Sequence, residues 1–334
     1  MLENNITKIV LTGGPCAGKS TIFEELEKDL VSKGYYVITV PETATELIKS
    51  KILPKPADRE HTLMFQDIVL QQQYTKEKVA EIFAKKMAKD NKVVILYDRA
   101  VIDNRAYLDS KEDFDFILKN HNLDEFEILN NYDLVIDLVS TATCQPENYK
   151  LNGVRYETAE EAAELDKRTS TAWIHHPNLK VIKPTYDIED KKKIVIKVVD
   201  DFFNDLNYSN SKTITLNQDI DITNYNDNNS KTLHVSNIYL DNDLVVSRKQ
   251  YYNSYVFMVS NYYKNNKRRI ISQKEFADLI YNNKIAFAEN KKEISFIEQG
   301  NVYKIIECDN KLYLETDKNN NLDIFANRSF VKVK

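Results

Sequence analysis

The residues best suited to chemistry lie early in the chain, in the run Gly13-Gly14-Pro15-Cys16-Ala17-Gly18-Lys19-Ser20. This run fits the phosphate-binding pattern G-x-x-x-x-G-K-[ST], with its two outer glycines, lysine and serine at the fixed positions. Glycines allow backbone N–H groups to face phosphate oxygens, because no Cβ stands in the way. Three of the six glycines in the chain lie here, so a chance glycine-rich turn is the weaker interpretation.

The segments on either side of this run agree with that chemistry. Ile9-Val10-Leu11 is a short apolar run typical of a buried strand. Ile22, Leu26 and Leu30 recur at helical spacing after the run. A helix that begins at the loop presents free N–H groups and the positive end of its dipole to an anion. The sequence therefore predicts a loop that joins a strand to a helix and binds phosphate.

We call residues 13–20 the P-loop and expect it to bind ATP or GTP with Mg²⁺. The predicted nucleotide-binding residues are Gly13, Gly14, Pro15, Cys16, Ala17, Gly18, Lys19, Ser20 and Thr21. Lys19 would reach the terminal phosphates, and the Ser20 hydroxyl would bind Mg²⁺. The chain has no Asn/Thr-Lys-x-Asp signature for guanine, and this absence favours ATP without deciding between the two nucleotides.

Three further polar residues follow predicted strands: Glu42 follows residues 35–40, and Asp98 and Arg99 follow residues 93–97. Open parallel sheets bind ligands at the carboxyl ends of their strands, so we expect these side chains beside the P-loop. Asp98 is a candidate Mg²⁺ ligand, the alternative being a solvated carboxylate at a strand end. Glu42 is either a general base for a hydroxyl nucleophile or an acid that favours a helix N-terminus.

Arginines are expected to neutralise the charge that develops in phosphoryl transfer. The candidates are Arg99, Arg155 and Arg168, and Arg105 is more simply read as a surface cation. Arg155 and Arg168 flank residues 143–156, which contain proline and glycine and could form a lid that excludes water. The predicted catalytic residues are therefore Lys19, Glu42, Asp98, Arg99, Arg155 and Arg168.

The first 200 or so residues alternate apolar strands with helical patterns, which predicts an α/β fold with a parallel sheet and helices on both faces. After Tyr208 the composition shifts to Asn, Asp, Tyr and Ile, with short strand-like runs separated by Asn/Asp pairs. This second pattern predicts an antiparallel sheet or barrel with one helix, at residues 273–281. We expect two domains, residues 1–207 and 213–334.

Bulk composition sets the class of protein. A net charge of −5 gives no overall electrostatic reason to bind nucleic acid. The three cysteines are far apart, which indicates reduced thiols rather than a disulfide framework. No apolar run approaches the roughly 20 residues that a membrane helix needs. We expect a cytoplasmic protein that acts on a small-molecule or phosphorylated ligand, and its oligomeric state is left open.

Several motifs together resemble one family. They are Pro15-Cys16-Ala17, Pro41-Glu42-Thr43-Ala44-Thr45, Asp98-Arg99-Ala100 with Asp103, and Gly153 to Thr158 through Trp173 and His176-Pro177. Over about the first 200 residues they resemble the AAA-type P-loop family related to ribosylnicotinamide kinases, as in TRPL-translocation-defect-type proteins. The resemblance implies a kinase-like nucleotide fold. The Asp98-Arg99 pair also resembles that of nucleoside and thymidylate kinases, which implies a place near the acceptor.

A second group of motifs lies in the second half: Tyr239-Leu240, Arg248-Lys249, Tyr255, Arg268-Arg269, and residues 273–280 with Glu275-Phe276. Together they resemble, in degenerate form, a CYTH-like, triphosphate-tunnel barrel. The metal-binding E-x-E-x-K pattern of that family falls near residues 234–238, which read His-Val-Ser-Asn-Ile and lack its carboxylates. The missing carboxylates argue against metal-dependent triphosphate hydrolysis in this half. The candidates for binding a phosphorylated ligand in the barrel are Arg248, Lys249, Lys267, Arg268 and Arg269. The alternative is that each is a cation on an outward strand face.

Three functions remain open at this point. The first is a phosphotransferase that moves a nucleotide γ-phosphate to a small hydroxyl acceptor of nucleoside or riboside type, with Mg²⁺. The second is a nucleotide-dependent switch or NTPase whose barrel binds a phosphorylated ligand or lipid. The third is a triphosphate hydrolase that uses the barrel, ranked last because of the missing acids.

Overall fold

The chain builds two sheets, one parallel and one antiparallel. A computed structural model describes residues 5–144, 158–183, 185, 187–204, 211–216, 230–262, 264–298, 300–317 and 320. The chain divides into two compact units, residues 4–198 and 199–334. The predicted boundary at residues 207–213 stays a prediction, because residues 205–210 lie outside the described part.

The first unit contains a five-stranded parallel sheet with the order β2-β3-β1-β4-β5. Its strands are β1 (Ile6–Gly13), β2 (Tyr36–Val40), β3 (Val93–Asp98), β4 (Leu134–Leu138) and β5 (Leu179–Ile182). β3 pairs directly with β1, and Leu11 lies opposite Asp98 in the register. The carboxyl ends of these two strands therefore meet beside the P-loop. The predicted parallel α/β fold of this half is confirmed.

The helices of this unit flank the sheet and carry apolar residues at helical spacing. They are α1 (Lys19–Ser32), α2 (Thr43–Lys49), α3 (Arg59–Met87), α4 (Lys111–Asn120), α5 (Glu125–Asn130), α6 (Thr141–Cys144), α7 (Ala159–Ala172) and α8 (Ile188–Phe203). A 3₁₀ segment covers Val101–Tyr107. In α1, Ile22, Leu26 and Leu30 are fully buried, as their spacing predicts, and each contributes about 1.5–3 kcal/mol.

One predicted helix is in fact two. The sequence pattern predicts one continuous helix over residues 115–130, but α4 ends at Asn120 and α5 begins at Glu125. Asn122 adopts a left-handed backbone with φ of 54°, which cannot continue a helix. The Asp124 carboxylate then accepts a hydrogen bond from the Glu127 N–H and caps the second helix.

The second unit contains an eight-stranded antiparallel sheet with the order β10-β9-β8-β7-β11-β12-β13-β6. Its strands are β6 (Ser211–Leu216), β7 (Ser230–Leu240), β8 (Leu244–Tyr251), β9 (Ser254–Asn261), β10 (Lys264–Ile271), β11 (Ile285–Glu298), β12 (Asn301–Cys308) and β13 (Lys311–Asp317). The antiparallel sheet is as predicted. The described pairings leave β10 and β6 at its two ends, so a closed CYTH-like barrel stays a prediction.

Charged and polar residues interrupt the apolar pattern of several strands in this sheet, so these strands could not be predicted from the sequence. The apolar runs of the second half predict strands at residues 244–246, 255–259, 285–288, 294–297, 303–306, 312–315 and 329–333. The third and fourth of these, with the charged residues between them, form the single strand β11. Strand β11 pairs with β7 on one side and β12 on the other, so its charged side chains stand on the faces of a continuous sheet. Strands β6, β7 and β10 were not predicted. A strand predicted at residues 329–333 lies outside the described residues.

One helix, α9 (Gln273–Asn282), packs against one face of this sheet. The apolar side chains beneath it include Leu240, Val246, Val259 and Ile271. The Ser272 hydroxyl accepts a hydrogen bond from the Glu275 N–H at 3.1 Å and so caps the helix. The helix predicted at residues 273–281 is therefore present at that place.

Candidate functional site

The P-loop bends through backbone conformations that favour glycine. Gly13 has φ of 136°, Gly18 has φ of 83° and Cys16 has φ of 58°. A Cβ built on Gly13 would lie 2.1 Å from the Leu138 carbonyl oxygen, so only glycine fits between β1 and β4. Cys16 is an L residue in a left-handed conformation, which costs on the order of 1 kcal/mol. The surrounding contacts must hold it there.

Hydrogen bonds to the carbonyl oxygens of the P-loop hold it in this conformation. The Thr141 hydroxyl donates to the Cys16 carbonyl at 2.8 Å, and the Lys191 ammonium donates to the Ala17 carbonyl at 2.8 Å. The Ser140 hydroxyl donates to the Pro15 carbonyl. In a planar trans peptide the C=O and the following N–H point in opposite directions. The N–H groups that follow these carbonyls therefore face away from the residues that hold the loop, as a phosphate cradle requires.

A buried carboxylate fixes the start of the loop. Asp166, on α7, accepts hydrogen bonds from the Gly14 N–H at 2.9 Å, the Ser140 N–H at 3.0 Å and the Thr143 hydroxyl at 2.7 Å. Sequence reasoning missed Asp166, Ser140 and Lys191, because no motif spacing links them to the loop. Only the packing of β4, α7 and α8 around the loop brings them together.

The first turn of α1 is open to an anion. Gly18 is its N-cap residue, no side chain caps the helix, and the first turn holds no acidic residue. Its N–H groups are thus left for a ligand or water. Ser20 and Thr21 are exposed at this end. These features fit the phosphate tail of a nucleotide.

Lys19 lies over the loop, half-buried, and its ammonium donates to the Gly13 and Gly14 carbonyls at 2.9 Å each. Burial, followed by the Arg99 guanidinium, lowers the pKa of Lys19 to about 8, against the opposing effect of Glu42, Asp98 and Asp103. These charges act on Lys19 only because they lie close to it. The structure thus brings the predicted residues Lys19, Glu42, Asp98 and Arg99 together.

Glu42 and Arg99 form an ion pair, with 2.8 Å between Oε1 and Nε. Burial acts to raise the pKa of Glu42, but Arg99, the Thr45 hydroxyl and Lys19 outweigh it, so the pKa lies below its usual value. Glu42 is the N-cap residue of α2, yet its side chain does not cap that helix. Instead its second oxygen accepts from the Thr45 hydroxyl at 2.6 Å.

Arg99 is held tightly. It is buried, its backbone is left-handed with φ of 65°, and its guanidinium carbon lies 5.6 Å from the centre of the Tyr107 ring. Gln73 on α3 links the pair, because its amide donates to the Arg99 carbonyl at 3.3 Å and its oxygen accepts from Thr43, the neighbour of Glu42. Helix α3 therefore sets the spacing between the ends of β2 and β3.

The two acids after β3 have different environments. Asp98 Oδ1 is buried and has no hydrogen-bond partner among the described residues. Burial and the nearby Glu42 carboxylate raise the pKa of Asp98 to about 6. Asp103 accepts from the Ala100 N–H at 2.7 Å, the Trp173 indole at 3.3 Å and the Thr12 hydroxyl. An oxygen of Asp98 is thus available to bind a cation, whereas the Asp103 carboxylate is used in hydrogen bonds that hold the fold together.

The other candidate arginines have different partners or lie outside the described residues. Arg105 pairs with Glu125. Arg168 donates to the Leu108 carbonyl, just beyond the 3₁₀ segment. Arg155 lies outside the described residues, as does most of the predicted lid. The catalytic roles of Arg155 and Arg168 stay predictions.

No group of three or more His, Cys, Asp or Glu side chains among the described residues is arranged to hold a metal ion. Mg²⁺ beside a nucleotide does not need such a group, because it takes one or two protein ligands and completes its shell with phosphates and waters. Asp98 and Ser20 fit that small share of the ligands.

In the second unit, a charged cluster lies on the sheet face opposite α9. Lys249 of β8 lies opposite Val235 of β7, which in turn lies opposite Lys291 of β11. The Lys291 ammonium is 3.1 Å from Glu293, and that of Lys304 is 4.0 Å from it. Burial, followed by the Arg268 charge, lowers the pKa of Lys249 to about 7.

The predicted barrel cations separate between the two faces of this sheet. Lys249 and Arg268 share the face that carries the cluster, whereas Arg248 and Arg269 alternate to the other face. Arg269 forms a two-pronged ion pair with Glu275 of α9. Arg248 is exposed, with its guanidinium carbon 5.5 Å from the centre of the Tyr255 ring. The Lys267 side chain lies outside the described residues.

The sequence model of the AAA_28 family, described as an AAA domain, matches residues 8–191. This match covers more than half of the 334 residues. The chain belongs to this family.

Family membership makes the chain a P-loop nucleotide-binding protein and confirms the AAA-type part of the resemblance. Its relation to ribosylnicotinamide kinases and the CYTH-like second half stay predictions. No curated protein matches the chain. None of the helices in the described ranges is both long and apolar enough to cross a membrane.

Proposed function

We propose that the protein is a phosphotransferase that moves the γ-phosphate of ATP or GTP to a hydroxyl group of a small acceptor of nucleoside or riboside type. The observation that carries the proposal is the ion pair of Glu42 with Arg99 at the mouth of the P-loop, next to Lys19 and Asp98. The Asp98 carboxylate can act on the phosphates through Mg²⁺, but nucleotide binding alone gives the Glu42 carboxylate no such role, since a carboxylate without a cation between repels a phosphate.

Each residue has a role in this reaction. Lys19 and Arg99 place positive charge where the transferred group becomes most negative. Mg²⁺, held by Ser20 and Asp98, would neutralise the phosphate oxygens further. Glu42 orients the acceptor hydroxyl and takes its proton as the oxygen–phosphorus bond forms and the bond to the leaving phosphate breaks. Phosphoryl transfer passes through a loose transition state, so the hydroxyl needs little prior deprotonation and a carboxylate with a low pKa suffices.

The experiment is product analysis with ATP or GTP, Mg²⁺ and a panel of nucleosides and ribosides. We expect stoichiometric transfer to at least one acceptor, and Glu42→Gln should lower kcat by about a hundredfold or more with little change in nucleotide Kd. The control is Glu46→Gln, which alters an exposed carboxylate on the same helix that pairs with Lys76. Nucleotide turnover without any transfer, unaffected by Glu42→Gln, would instead support a nucleotide switch.

The charged face of the second unit supports a second function, the binding of a phosphorylated ligand. Lys249, Arg268, Lys291 and Lys304 act together on this face, with Glu293 among them. Burial opposes ionisation of Glu293, yet Lys304, Lys291 and Lys249 hold its pKa at about 2. Lys291 also lies 3.9 Å from Glu289, and Lys304 lies 3.3 Å from Glu315, so these four cations face three carboxylates and a small excess of positive charge remains. The third possibility, hydrolysis in this unit, gains no support from the described residues, which hold no metal-binding group of carboxylates.

Titration with tripolyphosphate tests this second function. A Lys19→Met background removes the P-loop contribution, and Lys249→Met with Lys291→Met should then weaken binding at least tenfold. Arg269→Met is the matched control, because Arg269 lies on the other face and pairs with Glu275. Binding that disappears with Lys19→Met alone would assign the polyphosphate to the P-loop and refute the second site.

A further inference from the structure

The outer side of α3 exposes apolar side chains that the nucleotide site does not use. Val79 is 61% exposed, Ile82 is 69% exposed and Phe83 is 45% exposed. Tyr36, on the edge strand β2, is 36% exposed, and its ring centre lies 6.3 Å from that of Phe83. We call these four residues the α3 outer patch. Single exposed apolar residues are ordinary, but an adjacent group rimmed by charge is typical of an interaction site.

The spacing of the patch suits a helical partner. Val79, Ile82 and Phe83 stand at positions i, i+3 and i+4, which form a ridge on a helix surface. The opposite side of α3 is already buried, with Ala80 and Ala84 packed inside the unit. A second helix can therefore lie along the ridge without displacing any packing that the described residues make.

The rim of the patch is positive. Lys85, Lys86 and Lys89 are exposed, and none of them has an ion-pair partner within the described residues. The lysines nearer the middle of α3 are already neutralised, since Lys78 pairs with Glu81 and Lys76 with Glu46. The chain as a whole carries a net charge of −5, so this basic end of α3 runs against the average of the molecule.

This charge argues against a second copy as the partner. In a two-fold dimer the same patch meets itself, so the lysine rims of the two copies would share one interface. Like charges brought together across an interface cost several kcal/mol. A partner with acidic residues on either side of an apolar stripe gains from the same lysines.

We propose that the α3 outer patch binds an acidic amphipathic helix of a partner protein. The apolar stripe of that helix packs on Val79, Ile82 and Phe83, and its carboxylates pair with Lys85, Lys86 and Lys89. This surface is separate from the proposed chemistry and does not depend on it.

The test uses the full chain and a labelled amphipathic peptide of about 20 residues, long enough for helix formation. One version carries Glu beside a Leu stripe, and the other carries Lys in place of Glu. We expect the acidic peptide to bind at least tenfold more tightly than the basic one, with affinity that falls as salt is added. Ile82→Glu should weaken binding of the acidic peptide at least tenfold.

Two controls separate the patch from general effects. Met64→Glu places the same charge on the same helix, about five turns from Ile82, at a residue that is 51% exposed. This variant should bind like wild type. Lys85→Glu with Lys86→Glu should weaken the acidic peptide, whereas Lys193→Glu, at an exposed lysine of α8, should not. Unchanged nucleotide affinity shows that the variants are folded.

Three results would overturn the proposal. The acidic peptide could bind no better than the basic one, or binding could survive Ile82→Glu. Vesicles with about a third phosphatidylserine could bind the chain through Ile82 while the peptide does not, which would make the patch a membrane contact. Sedimentation could show a dimer that Ile82→Glu dissociates, which would make the partner a second copy.

Discussion

The P-loop and the charged face of the antiparallel sheet both present positive charge, but they do so by different means. The P-loop uses backbone amides, one lysine and the N-terminus of a helix, and all of these groups lie within a few residues of one another in the sequence. The sheet face collects Lys249, Arg268, Lys291 and Lys304 from four strands, with a carboxylate among them. A local backbone motif can be read from a sequence, whereas a set of side chains assembled by strand pairing cannot.

The sharpest way to test this contrast is to alter the backbone of the loop. Gly13→Ala places a Cβ against the Leu138 carbonyl at a backbone angle that disfavours alanine. We expect nucleotide affinity to fall by about two orders of magnitude and the free energy of unfolding by about 2–4 kcal/mol. Calorimetric titration and urea unfolding measure these two effects.

The matched control for this prediction is Gly34→Ala. Gly34 also has positive φ, 84°, but a Cβ there meets nothing within 4 Å. Stability should fall by about 1 kcal/mol and nucleotide affinity should stay unchanged. Equal losses of affinity in both variants would show that the close approach of Gly13 to β4 is unimportant.

The next effect concerns the lysine of the loop. Only the ammonium form of Lys19 attracts phosphate, and its pKa of about 8 lies within reach of experiment. We expect wild-type affinity for ATP to fall as pH rises through 8, by up to about tenfold per pH unit. Lys19→Met should bind weakly with no such slope, and Lys193→Met should keep it. A wild-type affinity that is flat from pH 7 to pH 9 would contradict the assigned role.

On the sheet face, the corresponding prediction concerns stability. The pKa of Lys249 is about 7 in the folded chain and about 10.5 when unfolded, so between these values the unfolded state binds more protons. Stability should therefore rise with pH over this window, by about 1–4 kcal/mol, and Lys249→Met should remove the rise. Urea unfolding at pH 7 and pH 10 gives the measurement. A variant with the same pH dependence as wild type would exclude Lys249 as its source.

The smallest effect belongs to the other face of the same sheet. Arg269 and Glu275 form an ion pair in which each side chain is 38% exposed. Such pairs contribute about 0–1 kcal/mol, so Arg269→Met should change stability by less than 1 kcal/mol at any pH. A larger loss in thermal unfolding would mean that this pair does more than hold the start of α9.

The sequence determined the first unit well because its information is local. The run from Gly13 to Ser20, the apolar strands around it and the acids at strand ends each follow from spacing, and parallel strands bring their carboxyl ends to one edge. The pairing of Glu42 with Arg99 could be predicted from the sequence only in part. Their closeness was expected, but their ion pair depends on Gln73 and Tyr107, which no motif includes.

Tertiary structure alone decided which side chains hold the loop and how the cations of the second unit are divided. Asp166 and Lys191 reach the loop from helices far along the chain, and their own neighbours in sequence give no sign of it. Arg248 and Lys249 are adjacent in sequence, yet a strand turns successive side chains to opposite faces, and only strand register shows which neighbours each one meets. Conformation along the backbone is encoded locally, whereas contact across a fold depends on every element being in place.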